Sequence, residues 1–298
     1  MNKIDKNIVI AILARDCEDS LVSNIHLVEE LRDKFISSEV IVVENDSIDN
    51  TKEILKNWEK NSVNVKVISQ DFGIKTIPDQ TKEISSPTTS FYRIEKMASY
   101  RNIYLDYIST IQYEIDYVMV IDIDIKWFSI EGLIKSIEEL NDNWGGIFAN
   151  GFTKGKILGI DSQIYYDIFA VCEYPFKNNF SFTEKSLDKS FKTINKNVKK
   201  NKYYSLISAF SGAGIYKYEA IKNLRYKAVR NSSNLDEAIC EHIPFNNEII
   251  KKGFKNYISR DFLVIYPMIH NFGLRLKLWM PSNIFYTIQH FYYRFRNI

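Results

Sequence analysis

The stretch Tyr117-Val-Met-Val-Ile-Asp-Ile-Asp-Ile-Lys126 constrains the chain most. Tyr117 to Ile121 run without a polar break, which predicts a strand covered on both faces. Asp122 and Asp124 stand two apart, so an extended backbone sends both carboxylates to one side where a parallel strand passes into its loop. Open α/β sheets bind ligands at such carboxyl ends. Two like charges beside an apolar strand repel and lose hydration, and a divalent cation between them and a polyanion relieves both costs. Oxygen-only ligation suits Mg²⁺ or Mn²⁺ shared with phosphate. Taken alone, the Asp-x-Asp spacing also fits a solvated strand end.

The segments before this strand alternate in the same sense. Asn7 to Leu13 reads as a first buried strand, and the polar stretch Ala14-Arg-Asp-Cys-Glu-Asp-Ser20 opens a helix that runs to about Arg32. Ser37 to Val43 is a second strand, followed by Glu44-Asn-Asp-Ser-Ile-Asp-Asn-Thr51, in which Asp49 or Thr51 caps a helix over Lys52 to Lys60. Val63 to Ser69 is a third. This βαβαβ order predicts an α/β fold with a parallel sheet, right-handed crossovers and a site on the loops after strands one and two. Residues Gln70 to Ser90, with Gly73, Pro78 and Pro87, form a loop suited to closing over a ligand. On the helix that follows, Arg93 to Ile111, Arg93 and Arg101 can reach a diphosphate or form surface ion pairs, and Asn102 can reach a loop.

Several classes are excluded by what is missing. No Gly-x-x-x-x-Gly-Lys-Ser/Thr occurs, no Gly-x-Gly-x-x-Gly follows the first strand, and the first loop has no glycine. That removes P-loop hydrolysis and a dinucleotide redox site, and it counts against a nucleotidyltransferase. With 39 basic and 37 acidic residues the net charge is only +2, so no global field calls for nucleic acid. Cys17, Cys172 and Cys240 are scattered and form no Cys-x-x-Cys pair, which argues for a reducing, cytoplasmic setting.

After the central strand, Ser129 caps a helix to Leu140, and Trp144 to Asn150 form another strand. In Tyr165-Tyr-Asp-Ile-Phe169, Asp167 can accept bonds from sugar hydroxyls or be satisfied by neighbouring tyrosines. Lys177 to Lys202 hold eight lysines with little periodicity, which predicts a solvated insertion. Ser208 to Tyr216 reads as a strand whose Gly212 and Gly214 admit close approach. Asp236 to Phe245 opens a helix ending at Gly253, and Asp261 to Tyr266 is the last strand.

The acidic loop Glu44 to Thr51, the Arg101-Asn102 pair and the Asp122-Ile-Asp124 strand resemble nucleotide-sugar glycosyltransferases of the A-type fold, including family two. A longer ordered set adds Arg93-Ile-Glu-Lys-Met-Ala98, Asn150-Gly151 and Tyr165-Tyr-Asp-Ile-Phe-Ala170. Across roughly residues 7 to 270 this set resembles the fungal capsule-associated α-1,3-mannosyltransferase family and its bacterial relatives. The resemblance implies a Rossmann-like, mixed and mostly parallel sheet flanked by helices, as one catalytic domain over residues 1–273. It implies metal-dependent transfer of a hexose from a nucleoside diphosphate sugar to a glycan or lipid-linked acceptor, in surface polysaccharide or glycoconjugate synthesis. Asp122 and Asp124 would hold Mn²⁺ or Mg²⁺ on the donor diphosphate, with His270 as a third ligand. Glu44 and Asp46 would flank the nucleoside, and Ala14 and Arg15 would cover its base. Family-two enzymes carry a Glu-Asp pair where this chain has Glu241-His242, which sets those two as proton acceptors if the reaction inverts; if it retains, as the mannosyltransferase resemblance implies, the departing phosphate takes the proton and no side-chain base is required. Those mannosyltransferases often have an Asn-Asp pair where this chain has Asp-Ile-Asp, so the donor sugar stays open. A sugar nucleotidyltransferase and a non-catalytic sugar-binding module of the same fold are the alternatives.

Residues 274–298 carry Arg275, Lys277, Arg294 and Arg296, no acid, and seven aromatics from Trp279 to Phe295. Packing over the core is the expectation for them, and contact with an anionic membrane surface is the alternative.

Overall fold

The alternation of apolar runs and polar-faced segments resolves, in a computed structural model, into one large sheet with helices on both sides. The structure describes residues 3–81, 86–141, 143–157, 160–179 and 184–267. In chain order the first half comprises β1 (Ile4–Ala14), α1 (Glu18–Arg32), β2 (Phe35–Asn45), α2 (Thr51–Asn61), β3 (Val65–Gln70), α3 (Phe91–Thr110), β4 (Tyr117–Asp122), β5 (Trp127–Phe128) and α4 (Ile130–Glu139). The second half comprises β6 (Trp144–Ile157), β7 (Ile160–Tyr165), α5 (Glu184–Lys200), β8 (Tyr203–Leu206), β9 (Ala213–Lys217), α6 (Tyr218–Ile221), β10 (Val229–Asn231), β11 (Asn234–Ile239), α7 (His242–Lys251) and β12 (Lys255–Tyr266).

The main sheet has the order β3-β2-β1-β4-β9-β6-β12-β5, with β7 on β6 and β8 on β12. Strands β1 to β4 are mutually parallel, β9 runs against both β4 and β6, and β12 is parallel to β6. The sheet is therefore mixed and mostly parallel, as expected.

Successive side chains of a strand point to opposite faces, and the two cores follow that period of two. Ile8, Ile10 and Ile12 of β1 pack with Leu21, Val28 and Leu31 of α1 and with Leu55 and Trp58 of α2. Val9 and Ala11 face the other way, onto Tyr104 and Ile108 of α3, in the core that also takes Ile243 and Ile249 of α7. Burying an aliphatic side chain of this kind contributes about 1.5–3 kcal/mol, so the uninterrupted apolar strands are what a sheet covered on both faces needs.

Local signals held at several ends. Ser129 Oγ accepts from Gly132 N at 2.9 Å and starts α4. At α2 the expectation is corrected: Asn50 is the N-cap and makes no side-chain cap bond, and Asp49 Oδ1 accepts from Thr51 N at 3.0 Å from one residue further out. Asn102 exchanges two bonds with the Tyr226 backbone, so it does reach a loop.

Three further expectations need correction. The lysine-rich stretch is not an unstructured insertion, because Glu184–Lys200 forms α5 and buries Ile194 and Val198, one turn apart, against the core. Ser208 to Tyr216 is not one strand, because Ser211 at φ 52° and Gly212 at φ 84° turn the chain before β9 begins. Asp236 and Glu237 lie in strand β11, paired with β10, and the helix starts only at His242. Among the described residues no helix is long and apolar enough to cross a membrane.

Candidate active site

Register brings the loop-bearing ends of three strands to one edge of the sheet. Leu13 pairs with Asp122 and Ala14 with Glu44, so the first loop, the acidic loop and the central acids share one rim. Above it lies a cleft of about 590 Å³ whose walls include Ala14, Arg15, Asn45, Thr76, Arg93 and Asp167.

Strand β4 ends at Asp122, and Asp124 sits in the turn beyond it, not on the same extended segment. Both carboxylates still line the cleft. The turn is held from α1, where the buried Asn24 donates to the carbonyls of Ile123 (2.7 Å) and Ile125 (2.6 Å). Asp122 is fixed from β12, where the Tyr266 hydroxyl donates to its Oδ2 at 3.0 Å.

Charge in the cleft is unbalanced. Burial first, then the neighbouring Asp124, push the Asp122 carboxyl up to about 7, while Arg101 and Tyr266 pull it down. Burial raises Asp124 as well. Asp167 is pushed up to about 7 by burial and by Asp122, against a bond from the Ser211 amide. The nearest cation is Arg101, only 4% exposed, whose Nε donates to Glu241 Oε1 at 2.9 Å and whose Nη2 stands 4.0 Å from Asp122 Oδ1. Its guanidinium lies over the Phe210 ring at 5.1 Å. Arg101 is thus spent on carboxylates inside the protein, which corrects its expected role as a diphosphate hand.

Two adjacent oxygen donors whose ionisation is opposed by each other fit a hard divalent cation that leaves most positions to ligand and water. Among the described residues no three His, Cys, Asp or Glu side chains converge on one metal position. The donor set therefore suits a cation shared with a bound anion and not a closed protein cage. His270 and residues 274–298 lie outside the described residues.

The other expected residues divide. Ala14 and Arg15 line the cleft, and Arg15 Nη1 donates to Thr76 Oγ1 at 3.0 Å, tying the first loop to the segment after β3. Arg93 also lines the cleft, and its buried Nε has no hydrogen-bond partner. Glu44 does not face a ligand: it is fully buried, and its two oxygens accept from Ser47 N (2.9 Å) and Ser69 Oγ. Asp46 accepts from Gly73 N at 2.7 Å and braces the loop over the cleft, while its neighbour Asn45 takes the place on the wall.

Glu241 and His242 both border the cleft. His242 is 1% exposed and stacked on Phe210 with ring centres 4.0 Å apart; neither ring nitrogen has a hydrogen-bond partner, and Nε2 stands 4.0 Å from Glu241 Oε1. Burial and then Arg101 hold its pKa well below the ordinary imidazole value. That corrects the expectation of an imidazole ready to take a proton near neutral pH. Sequence reasoning missed Asn24, Asn45 and Tyr266. Only Tyr266 carried a signal, as the last residue of a strand that ends at the same rim.

A mixed, mostly parallel sheet with a carboxylate pair at the end of its central strand defines the A-type glycosyltransferase fold. The family model described as Cryptococcal mannosyltransferase 1 matches residues 7–245, and the chain belongs to that glycosyltransferase family. No curated protein matches the sequence. Among solved structures, the mannosyltransferase PcManGT from Pyrobaculum calidifontis, in complex with GDP-Man and Mn²⁺, is similar with a TM-score of 0.50 at 12% identity, over 91% of this chain and 60% of that one. TarS 1-349 from S. aureus, in complex with UDP-GlcNAc, aligns with a TM-score of 0.48 at 14% identity, over 89% of this chain and 59% of that one. The chain thus spans about 60% of the length of these solved structures.

Proposed function

We propose that the protein transfers a hexose from a nucleoside diphosphate sugar to a hydroxyl of a glycan or glycolipid, in surface polysaccharide or glycoconjugate synthesis. The observation that carries this reading is the Asp122–Asp124 pair at the floor of a cleft large enough for a nucleotide sugar. A divalent cation, Mn²⁺ or Mg²⁺, held by the two carboxylates would neutralise charge that builds on the departing diphosphate. The protein's own groups supply the rest. Arg15, Lys75 and Arg93 set positive charge on the walls, and the Arg15–Thr76 contact closes one end over a nucleoside. A structure of the same fold bound to GDP-Man and Mn²⁺ supports the pairing of donor and metal. Residues 1–273 form the catalytic unit in this reading, and residues 274–298 supply basic and aromatic groups for acceptor-side or membrane-surface contact.

Calorimetry with Mn²⁺ and a panel of GDP- and UDP-sugars tests the assignment. Donor binding should depend on Mn²⁺, and it should weaken at least 100-fold in the Asp122→Asn, Asp124→Asn double variant. Cation-dependent binding that survives the double substitution overturns the metal assignment. Pyrophosphate release from a nucleoside triphosphate and sugar phosphate would instead identify a nucleotidyltransferase.

A further inference from the structure

The last strand closes on Phe262-Leu-Val-Ile-Tyr266, an apolar run whose only side-chain polar atom is the hydroxyl at its end. That hydroxyl donates to Asp122 Oδ2 at 3.0 Å, joining residues 144 apart in sequence. Among the described residues it is the one hydrogen bond to the Asp122 carboxylate, whose Oδ1 stands 4.0 Å from Arg101 Nη2, beyond hydrogen-bond reach.

The surroundings seat this contact from several sides. Tyr266 is 6% exposed, and its ring stacks on Tyr166 with centres 3.4 Å apart and planes 24° from parallel. Gly212, at φ 84°, clears the space the phenol needs, since a Cβ there would collide with the Tyr266 hydroxyl. The carbonyl of the same glycine accepts from Asp122 N at 2.8 Å, so one turn makes room for the donor and holds the backbone of its acceptor. On the far side of the acidic turn, Lys126 N donates to Ile265 O at 2.8 Å, which ties β12 to the segment it serves.

Arg101 shows what the hydroxyl prevents. An aspartate this near a guanidinium ordinarily closes on it through paired N–H···O bonds. Arg101 Nη1 is buried without a hydrogen-bond partner, so a donor for such a pair is at hand, yet the two groups stay apart. The opposing pull comes from Tyr266, which occupies Oδ2.

We propose that Tyr266 is a positioning residue for cation binding: its hydroxyl fixes Asp122 Oδ2, keeps the carboxylate from closing onto Arg101 and leaves Oδ1 to act as a ligand. Tyr266 works through Asp122 and touches neither substrate nor reacting atoms. The proposal rests on the reading of Asp122 and Asp124 as the cation pair, given above.

Calorimetric titration of the full chain with Mn²⁺, in the presence of GDP or UDP, tests it. Tyr266→Phe keeps the ring and its stack and removes only the hydroxyl. Groups that orient a metal ligand from outside typically matter 10–100-fold in metal affinity, and a loss of at least tenfold is expected here. Tyr107→Phe is the control. It removes a hydroxyl that donates to Glu39 Oε1 at 2.6 Å, a contact of the same kind at a residue that does not line the cleft, and Mn²⁺ affinity should stay within twofold. A merely structural hydroxyl would lower the urea midpoint of Tyr266→Phe and leave its Mn²⁺ affinity alone. Affinity of Tyr266→Phe that falls by less than tenfold, or an equal fall in Tyr107→Phe, therefore overturns the positioning role. The cation reading fails separately: a wild type that binds no Mn²⁺ with either nucleotide, or Mn²⁺ binding that survives in the Asp122→Asn, Asp124→Asn double variant, removes that reading and the role of Tyr266 with it.

Discussion

Asp122 and Asp167 are carboxyls that the fold keeps at about 7, mainly through burial. The folded chain therefore holds these protons more tightly than the unfolded chain, whose aspartates titrate near 3.9. Stability from the protonated forms is present at acid pH and is lost as pH rises through about 7. Replacing either with asparagine removes the group that must ionise in a desolvated place. Metal-free Asp167→Asn should exceed the wild type at pH 8.5 by on the order of 2 kcal/mol, with the gap closing as pH falls toward 4. Urea denaturation in a chelator at pH 8.5 and 4.5 measures it, and a gap that widens toward acid pH contradicts the account. Because the two carboxyls raise one another, the double variant should gain less than the sum of the single ones. The acids themselves were legible because each ends an apolar or aromatic run. Their partners were not, since Arg101 and Glu241 lie 140 residues apart and nothing in either local pattern names the other. Glu44 and Asp46 show the same limit: they stand two apart in one short acidic run, and only the fold puts Glu44 at the buried end of β2 and Asp46 in the loop beyond it.

At the scale of elements, the turn carrying Asp124 depends on α1 more than on its own residues. Asn24 lies in the second turn of that helix and spans the carbonyls of Ile123 and Ile125, with Ser20 Oγ also donating to Ile123 O at 3.2 Å. Asn24→Ala leaves Ile125 O without this donor and Ile123 O with Ser20 Oγ alone, a loss of about 1–3 kcal/mol for the first and less for the second before relaxation. The expected result is a global destabilisation of about 2–3 kcal/mol and a cation affinity at least tenfold weaker, because Asp124 is no longer held toward Asp122. Calorimetric Mn²⁺ titration separates the two effects, and unchanged cation affinity in a destabilised variant would show that the turn is positioned by something else. Strands β1, β2 and β4 could be read from sequence because burial on both faces forbids polar breaks. Helix α5 could not, because its lysines dominate the composition and the two apolar positions that dock it are one turn apart in a polar field. Strand β11 could not either, since Asp236-Glu237 looks like a helix start until β10 pairs with it.

Across the whole molecule, the cleft draws on loops after β1, β2 and β4, on α3, on the segment after β7 and on the head of α7. A ligand there touches most of the fold, so its binding should stabilise global unfolding and not merely a loop. The charge balance adds a condition. Asp122, Asp124, Asp167 and Glu241 line the same cleft as Arg15, Lys75 and Arg93, while Arg101 is already engaged with Glu241 beside Asp122. A nucleoside diphosphate entering alone meets the carboxylates, and a cation entering alone lacks the remaining oxygen ligands, so each should improve the other's affinity. Linkage requires the improvement to be equal in both directions. At 100 times its dissociation constant a ligand adds about 2.7 kcal/mol, and for a chain of this size that is on the order of 5 °C in Tm. GDP or UDP with Mn²⁺ should produce such a shift where either alone gives a small fraction of it, and Asp122→Asn should abolish the synergy. Calorimetry supplies the stricter check: the factor by which Mn²⁺ tightens the nucleotide must equal the factor by which the nucleotide tightens Mn²⁺. If the nucleotide binds equally well in a chelator, the carboxylate pair does not hold a cation against the diphosphate.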